Sequence, residues 1–207
     1  MRHEDWREAF KRLRAIAQTG QTYTRDPYDL ERYQELEQLS LMLLARLLDS
    51  PLELVRSVYL PEKGYPTPKI DVRAGVFDGE RVLLVREATD GRWTLPGGWG
   101  DEHESPRRSI EREVREESGF EVQATRLVAV KDRHLHPYTP KRLERIYKLF
   151  FLCDVTGGEA ATSLETEAVD FFPLDDLPPL SLGRTLPADI QLLAEYRSAP
   201  ERACYFD

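Results

Sequence analysis

Three glutamates, Glu113, Glu116 and Glu117, lie three and four residues apart in a stretch of helical character. At that spacing their side chains share one face of a helix. The alternative is a solvent-exposed charged helix without a functional site. Favourable i,i+4 pairs such as Arg112 with Glu116 would stabilise such a helix. This alternative does not explain three carboxylates on one face beside a Gly-Gly loop. Because clustered carboxylates suit Mg²⁺ or Mn²⁺ and leave room for phosphate, we predict a site for one of these metals.

A short helix and the loop before it must position these carboxylates. Ser105 is a typical N-cap, and Pro106 is tolerated as the first helical residue. Gly119 is the usual left-handed residue after a helix, so we predict a helix from about Pro106 to Ser118. Upstream, the stretch 93–98 contains Pro and paired Gly, which interrupt both helices and strands. The sequence therefore predicts a loop that leads directly into a helix with an acidic face.

The stretch from Gly98 to Phe120 resembles the Nudix box, Gx5Ex7REUxEExGU with U an apolar residue, and it fills every fixed position. The resemblance implies a metal-dependent enzyme that hydrolyses a nucleoside diphosphate linked to another moiety. It also implies an α/β fold, the Nudix α/β/α sandwich with a mixed sheet. A non-catalytic nucleotide sensor is the alternative from another functional class. Because such modules usually have a degraded box, the intact carboxylates favour the enzyme.

The resemblance assigns roles within the box. The metal ligands it implies are Glu113, Glu116, Glu117 and Gly98. Arg112 would hold a ligand carboxylate through a charge-assisted hydrogen bond, and Glu104 would be structural. The backbone at Gly97 and Gly98 would pass close to the phosphates, where side chains would clash. We expect Glu116, Glu117 and Arg112 to be needed for catalysis.

The general base is sought among the box glutamates or in a later loop, as in other members of the family. The loop 163–167 offers two candidates, of which we prefer Glu167 over Glu165. Solvated loop acids are an equal alternative for both. His134 and His136 could also reach the site, although single histidines are more often surface or phosphate-contacting residues than bases.

The N-terminal segment 17–36 and several downstream stretches resemble the CDP-choline pyrophosphatase subfamily. The resemblance implies CMP and phosphocholine as products, a homodimer and, in at least one member, 3′→5′ RNA exonuclease activity. A choline head group would suit aromatic side chains, for which Trp93, Trp99, Tyr138 and Tyr147 are available. The substrate-binding residues we expect are Gly97, Gly98, Trp93, Trp99, Arg73, His134 and Tyr147. ADP-ribose is the alternative substrate.

The composition of the chain limits the kinds of partner that it can be expected to bind. With 207 residues and a formal net charge of −8, the chain does not have the composition of a protein whose main affinity is for nucleic-acid phosphates. Single-stranded RNA is kept as a possible partner because of a local basic stripe, formed by Lys131, Arg133, Lys141, Arg142 and Arg145. The charged N-terminus has no apolar signal region and no apolar run is long enough to span a membrane. We therefore expect a cytoplasmic protein without a membrane partner.

Apolar periodicity divides the chain. Helices are predicted at about 3–18, ending before Gly20, at about 27–48 behind an Asp26 cap, and at about 51–60 behind an Asp49-Ser50 cap. They would form a small all-α N-terminal domain, residues 1–62, followed by a linker at 63–68 and a Nudix domain at 69–207. The segment 21–29 is read as a connector or a substrate-contacting loop, in which Tyr23 and Tyr28 could stack on a base.

The second predicted helix is apolar nearly all round between Leu39 and Leu44, which suggests packing on two sides and a partner chain. Strands are predicted around 70–77 and 82–85, joined by an Asp78-Gly79 turn, and then at 122–131, 147–153 and 169–174. The stretch 154–168 is read as a loop, and a helix is predicted from Pro187 to Arg197.

Overall fold

The computed structural model describes residues 3–60, 63–142 and 144–207. The chain divides into two units, Met1–Thr67 and Pro68–Asp207. The division falls within the stretch 63–68, which is rich in Gly and Pro and so interrupts regular structure.

The first unit consists of helices. They are α1 (His3–Tyr23), α2 (Pro27–Leu47) and α3 (Leu52–Tyr59). α2 begins as predicted, because the Asp26 side chain accepts hydrogen bonds from the backbone N–H groups of Tyr28 and Asp29. The predicted Asp49-Ser50 cap of α3 is wrong, since this helix begins at Leu52 after Pro51 and has no side-chain cap.

The predicted end of α1 before Gly20 is also wrong. A Cβ atom at Gly20 would lie 2.4 Å from the Tyr33 ring of α2, so this glycine allows two helices to approach each other inside a continuous helix. The segment 21–29 is accordingly helical at both ends, and residues 24–26 join α1 to α2. Tyr23 and Tyr28 are both exposed.

The apolar centre of α2 has two different sides. Leu41 and Leu44 are buried within the unit, whereas the side chains of Leu39, Met42 and Leu43 are exposed. The packing of the unit therefore accounts for one of the two apolar sides.

The second unit is built on a mixed sheet. Its strands are β1 (Lys69–Asp78), β2 (Arg81–Glu87), β3 (Trp93–Thr94), β4 (Phe120–Asp132), β5 (Ile146–Gly158), β6 (Thr166–Pro173) and β7 (Tyr205–Phe206). The order is β3-β2-β1-β5-β4-β7, with β6 paired to β2. β1 is parallel to β5 and antiparallel to β2, to which the predicted Asp78-Gly79 turn connects it.

Helices cover both faces of this sheet. On one face, Ile110 and Val114 of α4 (Pro106–Ser118) pack against Val72 and Val76 of β1. On the other face, α5 (Pro187–Arg197) packs Ile190 and Leu193 against β2 and β5. The predicted α/β/α sandwich with a mixed sheet is confirmed. No helix among the described residues is both long and apolar enough to cross a membrane.

The strands are longer than the apolar pattern predicted. β4 and β5 pair from Phe120 with Gly158 to Asp132 with Tyr147, across several register shifts. The first part of the predicted loop 154–168 therefore belongs to β5, and its last residues belong to β6. Asp154 and Thr156 of β5 are exposed, so backbone pairing extends this strand beyond the core, whereas Thr166 at the start of β6 is buried.

Candidate active site

Helix α4 carries the three glutamates, and both of its ends are fixed by local residues. The Ser105 hydroxyl accepts a hydrogen bond from the Arg108 N–H, and Pro106 opens the first turn. Gly119 has a φ of 77°, in the left-handed region that ends helices. The helix therefore has the extent predicted from Ser105 and Gly119.

The loop before α4 runs beside β1 like an additional short strand. Backbone bonds join Val72 N to Gly98 O at 2.8 Å, Ala74 N to Pro96 O at 2.9 Å and Gly100 N to Ile70 O at 2.9 Å. Gly97 has a φ of 136°, and a Cβ atom there would lie 2.0 Å from the Val72 carbonyl oxygen. The structural need for glycine at this position thus comes from β1, whereas we had expected it to come from substrate phosphates.

The same loop contacts two of the glutamates. The Gly97 N–H donates to Oε2 of Glu117 at 2.8 Å. A Cβ atom on Gly98 would lie 2.9 Å from an oxygen of the Glu113 carboxylate, so a side chain here would displace that carboxylate. The loop conformation and the orientation of the glutamates are therefore coupled.

Glu117 is a buried carboxylate. Burial raises its pKa to about 8, although the charge of Arg73 and the hydrogen bond from Gly97 act in the opposite direction. Burial likewise raises the pKa of Glu113. Buried carboxylates are normally paired with cations or bound to metals. Because burial disfavours the ionised form of Glu117, a cation bound beside it would stabilise that form.

Arg112 is surrounded by carboxylates. Its guanidinium lies 3.0 Å from Glu104, 2.8 Å from Glu116, 3.1 Å from Glu113 and 3.2 Å from Asp101. The planar guanidinium can engage several acceptors at once in fixed directions. Arg112 thus connects two of the proposed metal ligands to the loop before α4 and reduces the repulsion between them.

These groups line one cleft of about 620 Å³. Its walls are formed by Gly98, Trp99, Asp101, Arg112, Glu113, Glu116, Glu117, Ser163, Leu164 and Glu165. Trp99 is 45% exposed, and the Lys69 ammonium lies 5.6 Å from the centroid of its ring. The cleft therefore combines an acidic wall with one accessible aromatic ring, and its volume is in the range of small-molecule sites.

The donor set fits a hard divalent cation. Glu113, Glu116 and Glu117 all reach the cleft. Among the described residues, however, no group of three or more acidic, His or Cys side chains is already arranged around a common metal position. Glu116 instead pairs with Arg112, and Glu117 accepts a hydrogen bond from Gly97.

The two candidates for the general base differ in position. Glu165 lines the cleft, whereas Glu167 lies 3.3 Å from Arg86 and forms an ion pair with it. The geometry therefore favours Glu165, and our preference for Glu167 is reversed. Glu167 lies within β6, where alternate side chains point to opposite faces of the sheet, while Glu165 precedes the strand.

Two of the expected substrate-binding residues have structural partners instead. Arg73 is 4% exposed; it donates to both Asp71 oxygens at 3.0 Å and to the Leu95 carbonyl at 3.0 Å. Trp93 packs edge-on against Phe172, at 4.6 Å between ring centroids. The expectation that these two residues contact substrate is not supported by their positions, because their side chains are engaged inside the unit.

Among the other expected substrate contacts, Gly98 and Trp99 line the cleft, whereas His134 and Tyr147 lie outside its wall. His134 Nε2 lies 3.1 Å from the Arg142 carbonyl oxygen, and Tyr147 is partly exposed on β5. Tyr138, considered for a choline site, is fully buried and donates to Asp189 at 2.7 Å. Of the four aromatic residues considered for that site, only Trp99 lines the cleft.

The predicted basic stripe is not a continuous surface. Lys131 is buried and lies 2.8 Å from Asp189, and Arg133 is buried and donates a hydrogen bond of 2.7 Å to the Pro140 carbonyl. Lys141 and Arg142 are exposed. Burial of two of the five cations contradicts the prediction of a phosphate-binding track.

Sequence reasoning missed two groups that support the site. Asp71, Arg73 and Lys148 form a buried ion cluster next to the loop before α4. Asp71 and Arg73 are two residues apart on one strand and so share a face, which could have predicted their ion pair. Nothing in the sequence indicated that the distant Lys148 would join them. Ser163 and Thr166 were also missed; their hydroxyl groups bond to each other beside Glu165.

Two family models match the chain. One is described as a NUDIX domain and matches residues 67–196. The other is described as a UDP-X-like, N-terminal oligomerisation domain and matches residues 4–59. Together they cover both units.

Similar proteins include YjhB of Bacillus subtilis, which is provisionally named an ADP-ribose pyrophosphatase. It is 42% identical over 202 residues, which are 98% of this chain and 97% of that protein. A crystal structure of a UDP-X diphosphatase is 35% identical, with complete coverage of both chains and a TM-score of 0.64. A crystal structure of an ADP-ribose pyrophosphatase from Streptococcus suis is 42% identical, covers 68% of this chain and all of its own, and has a TM-score of 0.63.

Proposed function

The chain belongs to the Nudix family of hydrolases, and we propose that it is a metal-dependent pyrophosphatase with ADP-ribose as its first candidate substrate. The observation that carries the proposal is the single cleft in which the glutamate face of α4, the Gly97-Gly98 loop and Glu165 meet. Two similar proteins named as ADP-ribose pyrophosphatases, each 42% identical, support this choice of substrate.

Each part of the cleft has a proposed task. Glu113, Glu116 and Glu117 would hold Mg²⁺ or Mn²⁺, which supplies neutralisation of the diphosphate charge and lowers the pKa of a bound water. Arg112 orients the glutamates, and Glu165 accepts the proton of the attacking water. Trp99 offers a ring on which a base can stack.

A UDP-linked compound is the second candidate substrate. The N-terminal family model is described as UDP-X-like, and the UDP-X diphosphatase structure covers the whole chain. CDP-choline is placed behind both, because the aromatic side chains that would surround a choline group are dispersed. Single-stranded RNA is not among the candidates we propose, since the basic stripe is interrupted by the burial of Lys131 and Arg133.

We also propose that the protein is a homodimer held together by its first unit. The family model for residues 4–59 describes an oligomerisation domain. The exposed apolar side of α2, formed by Leu39, Met42 and Leu43, is suited to such a contact.

A substrate panel tests the proposed activity. The protein is incubated with Mg²⁺ or Mn²⁺ and with ADP-ribose, UDP-glucose, CDP-choline or single-stranded RNA, and the products are separated by chromatography. We expect AMP and ribose 5-phosphate from ADP-ribose at the highest kcat/KM. Preferred cleavage of UDP-glucose would select the second candidate, and absence of metal-dependent turnover with every nucleoside diphosphate derivative would contradict the proposal.

A further inference from the structure

The loop between β5 and β6 is attached to the C-terminal end of α4. The last carbonyl groups of a helix have no partners within the helix and must find them elsewhere. Here the Ala161 N–H donates to the Ser118 carbonyl at 2.9 Å, and the Thr166 hydroxyl donates to the Glu117 carbonyl at 2.8 Å. The loop that carries Glu165 thus supplies partners to the helix that carries the other glutamates.

A directed chain of hydrogen bonds continues from Thr166 to Glu165. A hydroxyl has one proton, and that of Thr166 is used on the Glu117 carbonyl. The Ser163 N–H and hydroxyl, each 3.1 Å from Thr166 Oγ1, must therefore both donate to it. The Ser163 oxygen in turn accepts the Glu165 N–H at 3.1 Å.

The other side of Glu165 is fixed as well. Its carbonyl accepts a hydrogen bond of 2.9 Å from the N–H of Ala88, just after β2. Leu164 is fully exposed, whereas Thr166 is 2% exposed. Hydrogen bonds centred on the buried Thr166, and not apolar packing of Leu164, therefore hold the loop.

We infer that Thr166 is a positioning residue: through Ser163, its hydroxyl fixes Glu165 relative to the glutamate face of α4. This inference rests on the proposed function, in which Glu165 acts as the general base. A general base contributes only when it lies within hydrogen-bond reach of the water it activates. Loss of the Thr166 hydroxyl would leave Glu165 in the cleft but without a fixed position.

The first test compares Thr166→Val with Thr166→Ser. Valine keeps the shape and removes the hydroxyl, whereas serine keeps the hydroxyl. We expect Thr166→Val to lower kcat by about 10- to 100-fold with KM within twofold, because small misplacements of a catalytic group have effects of this size. Thr166→Ser should stay within about threefold of the unaltered protein. Val128→Ala, which removes two buried methyl groups from the core beside α5 and outside the cleft wall, shows what destabilisation alone does to kcat.

A double-mutant cycle with Glu165→Gln separates positioning from a general structural role. If Thr166 acts through Glu165, Thr166→Val should cause no further loss of kcat in the Glu165→Gln protein. An equal loss in both backgrounds would overturn the inference, as would a Glu165→Gln protein with unchanged activity. The proposed function is tested separately, by whether the unaltered protein turns over the substrate.

A readout independent of catalysis completes the test. Thr166→Val should increase amide hydrogen exchange at residues 161–165 and leave exchange in α5 unchanged. Ser163→Ala, at an exposed position, interrupts the same chain of hydrogen bonds. It replaces Thr166→Val in this measurement if that variant does not fold. Unchanged exchange in the loop of either variant would overturn the inference, even if no substrate were turned over.

Discussion

At the scale of single residues, the cleft depends on a balance between carboxylates and cations. Three glutamates share one face of α4, and Arg112 lies within 3.1 Å of two of them. Glu117, the most buried of the three, has a raised pKa because its charged form is poorly solvated. A bound divalent cation would therefore stabilise the site, because it would offset both the repulsion between the carboxylates and the cost of burying the Glu117 charge.

Glu116 provides the most direct test of this balance. Its side chain is half exposed, so Glu116→Gln should fold normally while losing one negative ligand. We expect metal-dependent kcat to fall by at least about 100-fold, since charge stabilisation by a bound metal contributes several kcal/mol. The rate is measured over a Mg²⁺ titration with ADP-ribose.

The matched control for Glu116 is Glu121→Gln, an exposed glutamate outside the cleft wall. It should leave kcat and the Mg²⁺ dependence unchanged. Turnover that survived Glu116→Gln would indicate that the glutamate face of α4 is not the metal site.

The buried ion cluster makes a second prediction at this scale. Burial disfavours the charged form of Asp71, but the charges of Arg73 and Lys148 prevail and lower its pKa to about 2. Asp71→Asn would leave two buried cations without their anion. We expect the free energy of unfolding at pH 7 to fall by about 3–5 kcal/mol, as for other broken buried pairs. Urea denaturation measures this loss, with the exposed Asp154→Asn as control.

The pH dependence of this difference follows from the direction of the shift. The pKa of Asp71 is lower in the folded chain than its ordinary value of 3.8, so its contribution to stability is present above pH 4. It is lost as the pH falls from 4 towards 2. The stability difference between the unaltered protein and Asp71→Asn should therefore narrow across that window, and a constant difference would contradict the assignment.

At the scale of elements, the site is assembled where a loop, a helix and a strand meet. The backbone of residues 96–100 bonds to β1, and its Gly97 N–H holds Glu117 of α4. This close approach of two chain segments requires glycine at position 97. The element that positions the glutamates is thus the loop as well as the helix.

Gly97→Ala tests this contact against a second glycine with a positive φ, Gly91. Gly97 has a φ of 136° and would place its Cβ 2.0 Å from a β1 carbonyl, while Gly91 has a φ of 65° and open space around it. We expect Gly91→Ala to cost about 1–2 kcal/mol of unfolding free energy from backbone strain alone. Gly97→Ala should cost about 3 kcal/mol or more and lower kcat. Equal losses in urea denaturation would show that the contact with β1 is unimportant.

At the scale of the whole molecule, the two units have different tasks in our proposal. The second unit contains every residue of the cleft wall, and the first matches an oligomerisation domain. Leu43 is exposed on the apolar side of α2, so Leu43→Glu should fold but introduce a charge into the proposed contact. We expect the dimer dissociation constant to rise at least about tenfold, measured by sedimentation velocity.

Gln34→Glu, at an exposed polar position of the same helix, is the control and should leave the dimer unchanged. A dimer that survives both Leu43→Glu and Met42→Glu would place the interface elsewhere. An unaltered protein that sediments as a monomer would contradict the proposed homodimer.

Features that depend on local chemistry could be predicted from the sequence. Ser105, Pro106 and Gly119 set the bounds of α4 through capping, and Asp78-Gly79 set the first hairpin. The spacing of Glu113, Glu116 and Glu117 placed them on one helix face, and the complete box indicated the family. Each of these inferences needs only neighbours within a few residues, which is why it could be made without coordinates.

Features that depend on residues distant in sequence could be seen only in the folded chain. In the fold, Glu165 lies in the cleft and Glu167 lies beside Arg86. Lys131 and Arg133 are buried, although in the sequence they are indistinguishable from exposed cations. The fold also explains Gly97 by the approach of β1. Burial and partner choice arise when separate elements pack, so residue type and spacing along the chain do not contain them.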